Sequence, residues 1–313
     1  MCENFSIVTR NQPSVLRSPG IMGLSLVYHA GALGDFVTTL PAISVWRRLH
    51  LKDTMVLLGK GKYGALAPQG LFDDFWEASS FSYAPLFGND REVGSALRKR
   101  LRGLQSALLF SSSASPLSQN LSRLGVPEIL RQDPFPTAKV PIVDYHLSLF
   151  PDYSLTREER IPQIRCERGA LEVPADTVAL HPGSGDPRKN WPFEKFQDMA
   201  QRLMTMGFAV RWVLGPAEDA LALSDAPPAW KNISLSELAG ALAACCLFVG
   251  NDSGITHLAA AAGCPTVALF GASDPDVWAP RGRTAYSLRA PRGVMDELSV
   301  EMILSECRDF LRR

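Results

Sequence analysis

Three short polar clusters, each directly behind a run of strand-forming apolar residues, hold the groups that could do chemistry in this chain: Asn251 to His257, His181 to Pro192, and Gly31 to Asp35. In the first, the strand ending at Gly250 runs into a helix whose opening turn carries unpaired N–H groups, and Gly254 lets a ligand approach the backbone closely. That combination suits an anion, a diphosphate in particular. Taken alone, Asp252 or Ser253 is an ordinary N-cap and His257 a satisfied histidine on an inner turn. In the second cluster, small residues around Gly183, Ser184 and Gly185 bring N–H groups forward, and Lys189 offers a compact cation to phosphate oxygens. Alone, it is a surface loop in which Trp191 and Pro192 start the next helix. In the third, Asp35 stands where a glycine-bearing loop gives way to a helix, and its simplest role is to cap that helix. Together and in order, the clusters point to one site that grips an anion and accepts a proton.

Several other chemistries lack their signatures. Neither Walker spacing nor GxGxxG is present, and Ser184 is not in a GxSxG elbow. Asp73 and Asp74 precede Phe75 and Trp76 and are expected to form a solvated turn rather than a metal motif.

The elements that must position these residues alternate. A strand over Gly23 to Tyr28 leads through the Gly31 loop into a helical pattern marked by Leu40, Ile43 and Trp46. Strands are expected at Thr54 to Leu58, Phe75 to Ala78 and Ser106 to Phe110, with helices near Arg91 to Leu101 and Pro116 to Leu124. Between Val126 and Pro174, seven prolines forbid long helices, so the connection between two halves is placed there, near residue 160. The second half reads as strand Thr177 to Leu180, helix Phe193 to Met206, strand Ala209 to Leu214, a helix after Ser234, strand Leu247 to Gly250, helix Gly254 to Ala262 and strand Thr266 to Phe270. An amphipathic helix over Ser299 to Leu311 would close the structure. Alternation with short connections implies parallel sheets covered on both faces, an α/β fold with ligands at the carboxyl ends of the strands.

At 313 residues the chain exceeds what one core usually organises, so two domains are expected, 1–160 and 161–313, with 1–20 as an extension before the first strand. Lys plus Arg and Asp plus Glu both number 32, so no overall field draws the chain to nucleic acid and any anion site must be local. Apolar runs such as Ala239 to Val249 fall short of the roughly 20 residues that span a bilayer. The start of the chain lacks the pattern of a signal peptide, and a cytoplasmic location is expected. Six cysteines show no CxxC and no zinc spacing with histidine; Cys245 and Cys246 are expected to be buried free thiols.

The blocks GALGDFVTTLPAI at 31–43, HPGSGDPRKNWP at 181–192, LGPAED at 214–219 and NDSGITHLAAAAGCPTVALFG at 251–271 together resemble glycosyltransferase family 9, the bacterial heptosyltransferases. The resemblance implies a GT-B fold, two Rossmann-like domains facing across a cleft, with the nucleotide-sugar held mainly by the C-terminal one. It also implies inverting transfer of a heptose from an ADP-activated donor to a lipopolysaccharide core or a similar glycan. Asp35 would then be the general base, and Ser184 and Lys189 would meet the donor phosphates. Asp252, Ser253, Gly254 and His257 would complete the donor site, and Glu218 would hold the nucleotide ribose. No metal or other cofactor is implied, because a lysine and helix N-terminal amides can stabilise a departing diphosphate. A lone base also suffices for one-step displacement, whereas glycosidases need paired carboxylates.

Family members begin at the first strand, so residues 1–20 depart from the pattern, and residues 50–170 align little. The acceptor site is expected in that middle region. Lys60, Lys62, Arg98, Lys99, Arg100 and Arg102 could meet an anionic, lipid-linked acceptor at the inner membrane surface, although the RKRLR run also reads as a solvated helix face. Two other readings keep the cleft and change its use, one as a GT-B nucleotide-sugar epimerase and one as a non-catalytic nucleotide-sugar-binding protein.

Overall fold

The computed structural model describes residues 23–89, 92–215, 218 and 227–311. The expected extension over residues 1–20 lies outside the described residues, as do Pro216, Ala217 and Asp219 of the LGPAED block.

Two wholly parallel sheets organise the chain. The first contains β1 (Leu24–His29), β2 (Thr54–Gly59), β3 (Asp74–Glu77), β4 (Leu104–Phe110) and β5 (Glu128–Gln132), in the order β3-β2-β1-β4-β5. The second contains β6 (Thr177–His181), β7 (Ala209–Leu214), β8 (Ala229–Lys231), β9 (Leu247–Asn251), β10 (Thr266–Phe270) and β11 (Ala285–Arg289), in the order β11-β10-β9-β6-β7-β8. Strand order reverses between β1 and β4 in one sheet and between β6 and β9 in the other. Such switch points open crevices at the carboxyl ends of the strands. All three polar clusters sit there: Gly31 to Asp35 follows β1, the His181 loop follows β6, and the Asn251 turn follows β9.

Central strands such as β9 and β10 are buried along their length because helices cover both faces. On the first sheet, α1 (Leu33–Leu49) and α5 (Ile142–Leu147) bury one face, while α3 (Ser95–Arg100) and α4 (Leu117–Arg123) bury the other. On the second, α6 (Phe193–Thr205) and α10 (Val300–Glu306) cover one face and α7 (Leu235–Leu242) and α8 (Gly254–Ala261) the other. The entrance to α6 is a hydrophobic staple: Trp191, just before the Pro192 cap, packs edge-on against Phe196 at 4.8 Å. None of the described helices is long and apolar enough to cross a membrane.

Several expectations need correction. The strand β5 and the helix α5 lie inside the proline-bearing stretch, since Pro127 and Pro134 flank β5 and Pro141 immediately precedes α5. Prolines there punctuate the elements and leave their interiors intact. The last helix, α10, stops at Glu306, well short of Leu311. Cys245 is buried but Cys246 only half-buried, its thiol facing the Thr177 carbonyl. Asp73 lies in an exposed bend, as expected, and also ties the chain together, accepting from the Met55 amide at 2.8 Å and from Arg47 at 3.0 Å.

Contacts of several kinds join the halves. Helices α1 and α8 pack together. Leu66, just after the short helix α2 (Gly61–Gly64), is fully buried in a core cluster that otherwise consists of buried residues of the other half. Along one flank, Asp144 of α5 takes a bidentate pair from Arg281 at 2.8 and 2.5 Å and a third bond from Arg160 at 3.0 Å. Beside it, Lys139 pairs with Asp274 and Asp276, and Phe135 meets Trp278 of α9 (Pro275–Trp278) edge-on.

Hydrogen bonds from Arg281 hold the Asp144 carboxyl below the usual carboxylate range, against the opposing effect of burial. A depressed carboxylate contributes stability above its unfolded pKa of about 3.9 and loses it as pH falls through the lower folded value. Asp144→Asn is therefore expected to lower the thermal midpoint at pH 7 by about 2 °C, the effect of a partly exposed bidentate pair worth about 1 kcal/mol. In scans at decreasing pH, the gap from the unaltered protein should close below about pH 4. Burial also drives His29 down to about 3 and His146 to about 4. Both are neutral when folded, so overall stability should be level above about pH 6.5 and decline as pH falls from there toward 4.

Candidate functional site

The Asp35 carboxylate comes from the turn after β1. Ala32 is the N-cap of α1 and Asp35 lies in the first helical turn, three residues on, which corrects its expected place as the cap itself. From there Asp35 Oδ2 accepts the Ala32 N–H at 3.0 Å, the back-reaching half of a capping box. Lys60, immediately after β2, steadies the same loop by donating from Nζ to the Gly31 carbonyl at 2.8 Å. Its ammonium also lies 5.5 Å from the centre of the Tyr63 ring, and that of Lys62 lies 5.7 Å away. The Tyr63 phenol is pushed up by burial and then by the negative charge of Asp35, which marks how near the two groups are.

Across the crevice, the loop after β6 is held from below by Asn251, the last residue of β9. Its buried amide donates to the Pro182 carbonyl at 2.7 Å and accepts the Trp191 N–H at 2.9 Å, clasping both ends of the loop. Ser184 is engaged within the loop, its Oγ 2.7 Å from the Asp186 carbonyl and 2.6 Å from Asn190 Oδ1. Glu218 is buried against this turn. It accepts the Gly215 N–H at 2.6 Å, and a methyl group at Gly183 would occupy the space of its carboxylate. His181 is buried beside it and kept neutral by desolvation. Because its Nδ1 faces the Val213 carbonyl at 2.8 Å, that nitrogen carries the proton.

Lys189 ends the loop by donating from Nζ to Asp252 Oδ2 at 2.7 Å, the lysine side chain 32% exposed and the aspartate 7%. Ser273 donates to the same oxygen at 2.6 Å. Ser253 is the N-cap of α8 and accepts from the Thr256 N–H, while the Thr256 hydroxyl returns to the Asn251 carbonyl at 2.5 Å. His257 follows, buried within the first turns of α8. Burial lowers its pKa most; Asp252 and Asp35 pull the other way and Lys189 adds to the lowering. The imidazole is thus a neutral hydrogen-bonding group that feels all three charges at once.

That convergence comes from a glycine pair. A methyl group on Gly34 would stand 3.2 Å from His257 Cδ2 and 3.3 Å from Gly254 Cα; one on Gly254 would stand 2.9 Å from the Gly34 nitrogen and from Leu33 Cβ. The N-termini of α1 and α8 abut where neither has a side chain, and both present the positive end of a helix dipole to the crevice. Asp35, His257, Asp252 and Lys189 are brought together, with Ser184 on the loop of Lys189 and Glu218 beneath Gly183. By contrast, Arg98, Lys99, Arg100 and Arg102 lie at the amino end of β4, the opposite end of the sheet from Asp35. Arg100 there stacks over Trp76 at 4.6 Å. Asn251 and Ser273 are the contributors that sequence reasoning left without a role. Among the described residues no three His, Cys, Asp or Glu side chains group so as to hold a metal ion.

Residues 137–307 match the family model described as glycosyltransferase family 9 (heptosyltransferase). Lipopolysaccharide heptosyltransferase 2 of Salmonella typhimurium is 30% identical over 158 residues, 46% of this chain and 44% of that protein. Lipopolysaccharide heptosyltransferase 1 of Pseudomonas aeruginosa is 27% identical over 231 residues, 70% of this chain and 57% of that protein. The chain thus spans about half the length of these curated relatives. Among solved structures, ADP-heptose lps heptosyltransferase II of E. coli aligns with a TM-score of 0.73 at 18% identity, covering 93% of this chain and 98% of that one. A glycosyl transferase family 9 protein of Veillonella parvula aligns with a TM-score of 0.70 at 16% identity, over 92% and 97%. The two facing parallel-sheet domains are accordingly of the GT-B type.

Gly254→Ala tests the glycine contact directly. A Cβ there must displace the Gly34 backbone, an overpacking cost of about 1–3 kcal/mol. The expected result is a thermal midpoint lowered by several degrees, with a larger radius of gyration in small-angle scattering as α1 and α8 separate. An unchanged midpoint and radius would mean that the helix ends do not bear on each other in solution.

Proposed function

Because the chain belongs to glycosyltransferase family 9, we propose that it is an inverting transferase that moves a heptose, or a similar sugar, from an ADP-activated donor to a lipopolysaccharide-core-type or other glycan acceptor. In this reading residues 1–160 form the acceptor side and 161–313 the donor side. The observation that carries it is the meeting of Asp35 with Lys189 and Asp252 around His257, a proton acceptor on one wall and an anion grip on the other.

The acceptor hydroxyl oxygen attacks the anomeric carbon from the face opposite the diphosphate, so one displacement inverts the configuration. As the new carbon–oxygen bond forms, the hydroxyl proton passes to Asp35, whose Oδ2 is already fixed by the Ala32 N–H. The bond from the anomeric carbon to the diphosphate breaks and its electron pair leaves with the nucleotide. Lys189 and the N-terminal amides of α8 at Ser253 and Gly254 stabilise that charge without calling on a divalent ion or other cofactor. Neutral His257 supplies a hydrogen bond to the diphosphate or the sugar. Ser184, on the same loop as Lys189, meets the donor phosphates, and Glu218 takes the ribose hydroxyls. Lys60 and Lys62 flank the acceptor approach, which suits an anionic, lipid-linked acceptor met at the cytoplasmic membrane surface.

Two variants separate this from an epimerase and from a non-catalytic binder. Asp35→Asn preserves the cap and removes the base; it should bind ADP normally and lose about 10²–10⁴-fold in turnover. Lys189→Ala removes a charge-assisted bond of about 1.5–3 kcal/mol, so its ADP affinity should fall about 10- to 100-fold by calorimetric titration. ADP should be preferred over UDP and GDP, with or without a chelator. A UDP preference, a magnesium requirement, or sugar isomers formed without acceptor would overturn the assignment.

A further inference from the structure

One hydroxyl outside the motif blocks touches the centre of the anion site. Ser273 lies three residues beyond β10 and half-buried, and its Oγ donates to Asp252 Oδ2 at 2.6 Å. Lys189 donates to that same oxygen at 2.7 Å. Two donors on one carboxylate oxygen decide which way a nearly buried carboxylate faces, and they divide its negative charge between them.

That division matters when a diphosphate arrives. A carboxylate next to a phosphate site repels the ligand and competes for its lysine, and the low exposure of Asp252 strengthens both effects. A hydroxyl that stays on Asp252 while Lys189 turns toward phosphate offsets part of that cost. We propose that Ser273 is a positioning residue of the donor site: it fixes Asp252 and, through it, sets Lys189 ready for a nucleoside diphosphate. Ser273 is itself held in place from the next residue onward. Asp274 caps α9 by accepting from the Asp276 N–H, and it pairs with Lys139 of the other half at 3.1 Å. The hydroxyl therefore sits on a segment anchored by β10 on one side and by the facing domain on the other.

The inference rests on Lys189 meeting the diphosphate, so the test keeps the two claims apart. Ser273→Ala should weaken ADP binding about three- to tenfold, the range of one hydrogen bond. The donor KM should rise in step, with kcat within about twofold and the thermal midpoint lowered by no more than a few degrees. Ser273→Thr, which keeps the hydroxyl, should restore ADP affinity. In an Asp252→Asn background, Ser273→Ala should cost nothing further, because its effect runs through that carboxylate. If Lys189→Ala weakens ADP binding while Ser273→Ala does not, or if the serine effect persists undiminished without Asp252, the positioning role is wrong. If Lys189→Ala also leaves ADP binding intact, the donor-site reading itself fails.

Discussion

The close contact of Gly34 with Gly254 is the constraint on which the site depends. A helix end exerts its dipole only over the first turn or so, and a carboxylate on one domain can serve chemistry on another only within a few ångströms. Any side chain at either glycine would stand between the two helix ends. With none there, Asp35 comes into the field of a histidine that belongs to the opposite sheet, and the charge balance of His257 registers it. Both glycines lie just past a switch point in strand order, where the sheet leaves a crevice for other reasons. Sheet topology makes the opening and two missing Cβ atoms set its width.

Within that opening the charges are arranged so that none is left alone. Lys189 rests on Asp252, Asp252 is shared with Ser273, and Asp35 has one oxygen on a backbone amide. Burial keeps the histidines His181 and His257 neutral, so neither adds a charge, and His181 hydrogen-bonds the Val213 carbonyl. Lys189 is the more exposed member of its pair, while Asp252 is enclosed. Pairing the lysine with the enclosed carboxylate avoids burying an unpaired charge.

Much of this was legible because the informative residues are local. Strand, turn and helix signals around Asp35, Lys189 and Asp252 lie within a few residues of each other, and alternation of elements was enough to imply parallel sheets. What escaped depends on partners far along the chain. Asn251 clasps residues 182 and 191, and Ser273 reaches residue 252; no period or turn preference encodes such a pair. The placement of Asp35 as a cap was off by three residues because Ala32, with no side-chain acceptor, fills the capping position while the aspartate reaches back to it. The strand β5 and the helix α5 were hidden by flanking prolines, which in sequence look the same whether they end an element or interrupt one.

Leu66 has a larger consequence than its single side chain suggests. It leaves the first half from beside β2 and is fully buried in a core cluster made mostly of residues of the second. Severed near residue 160, the carboxyl-terminal piece would carry an empty socket worth about 2–5 kcal/mol, the usual penalty for removing a buried leucine. The amino-terminal piece would display a greasy knob to water. The two halves look like separate modules in outline, yet each core is completed by side chains of the other, Leu66 in one direction and Leu235 and Trp278 in the other.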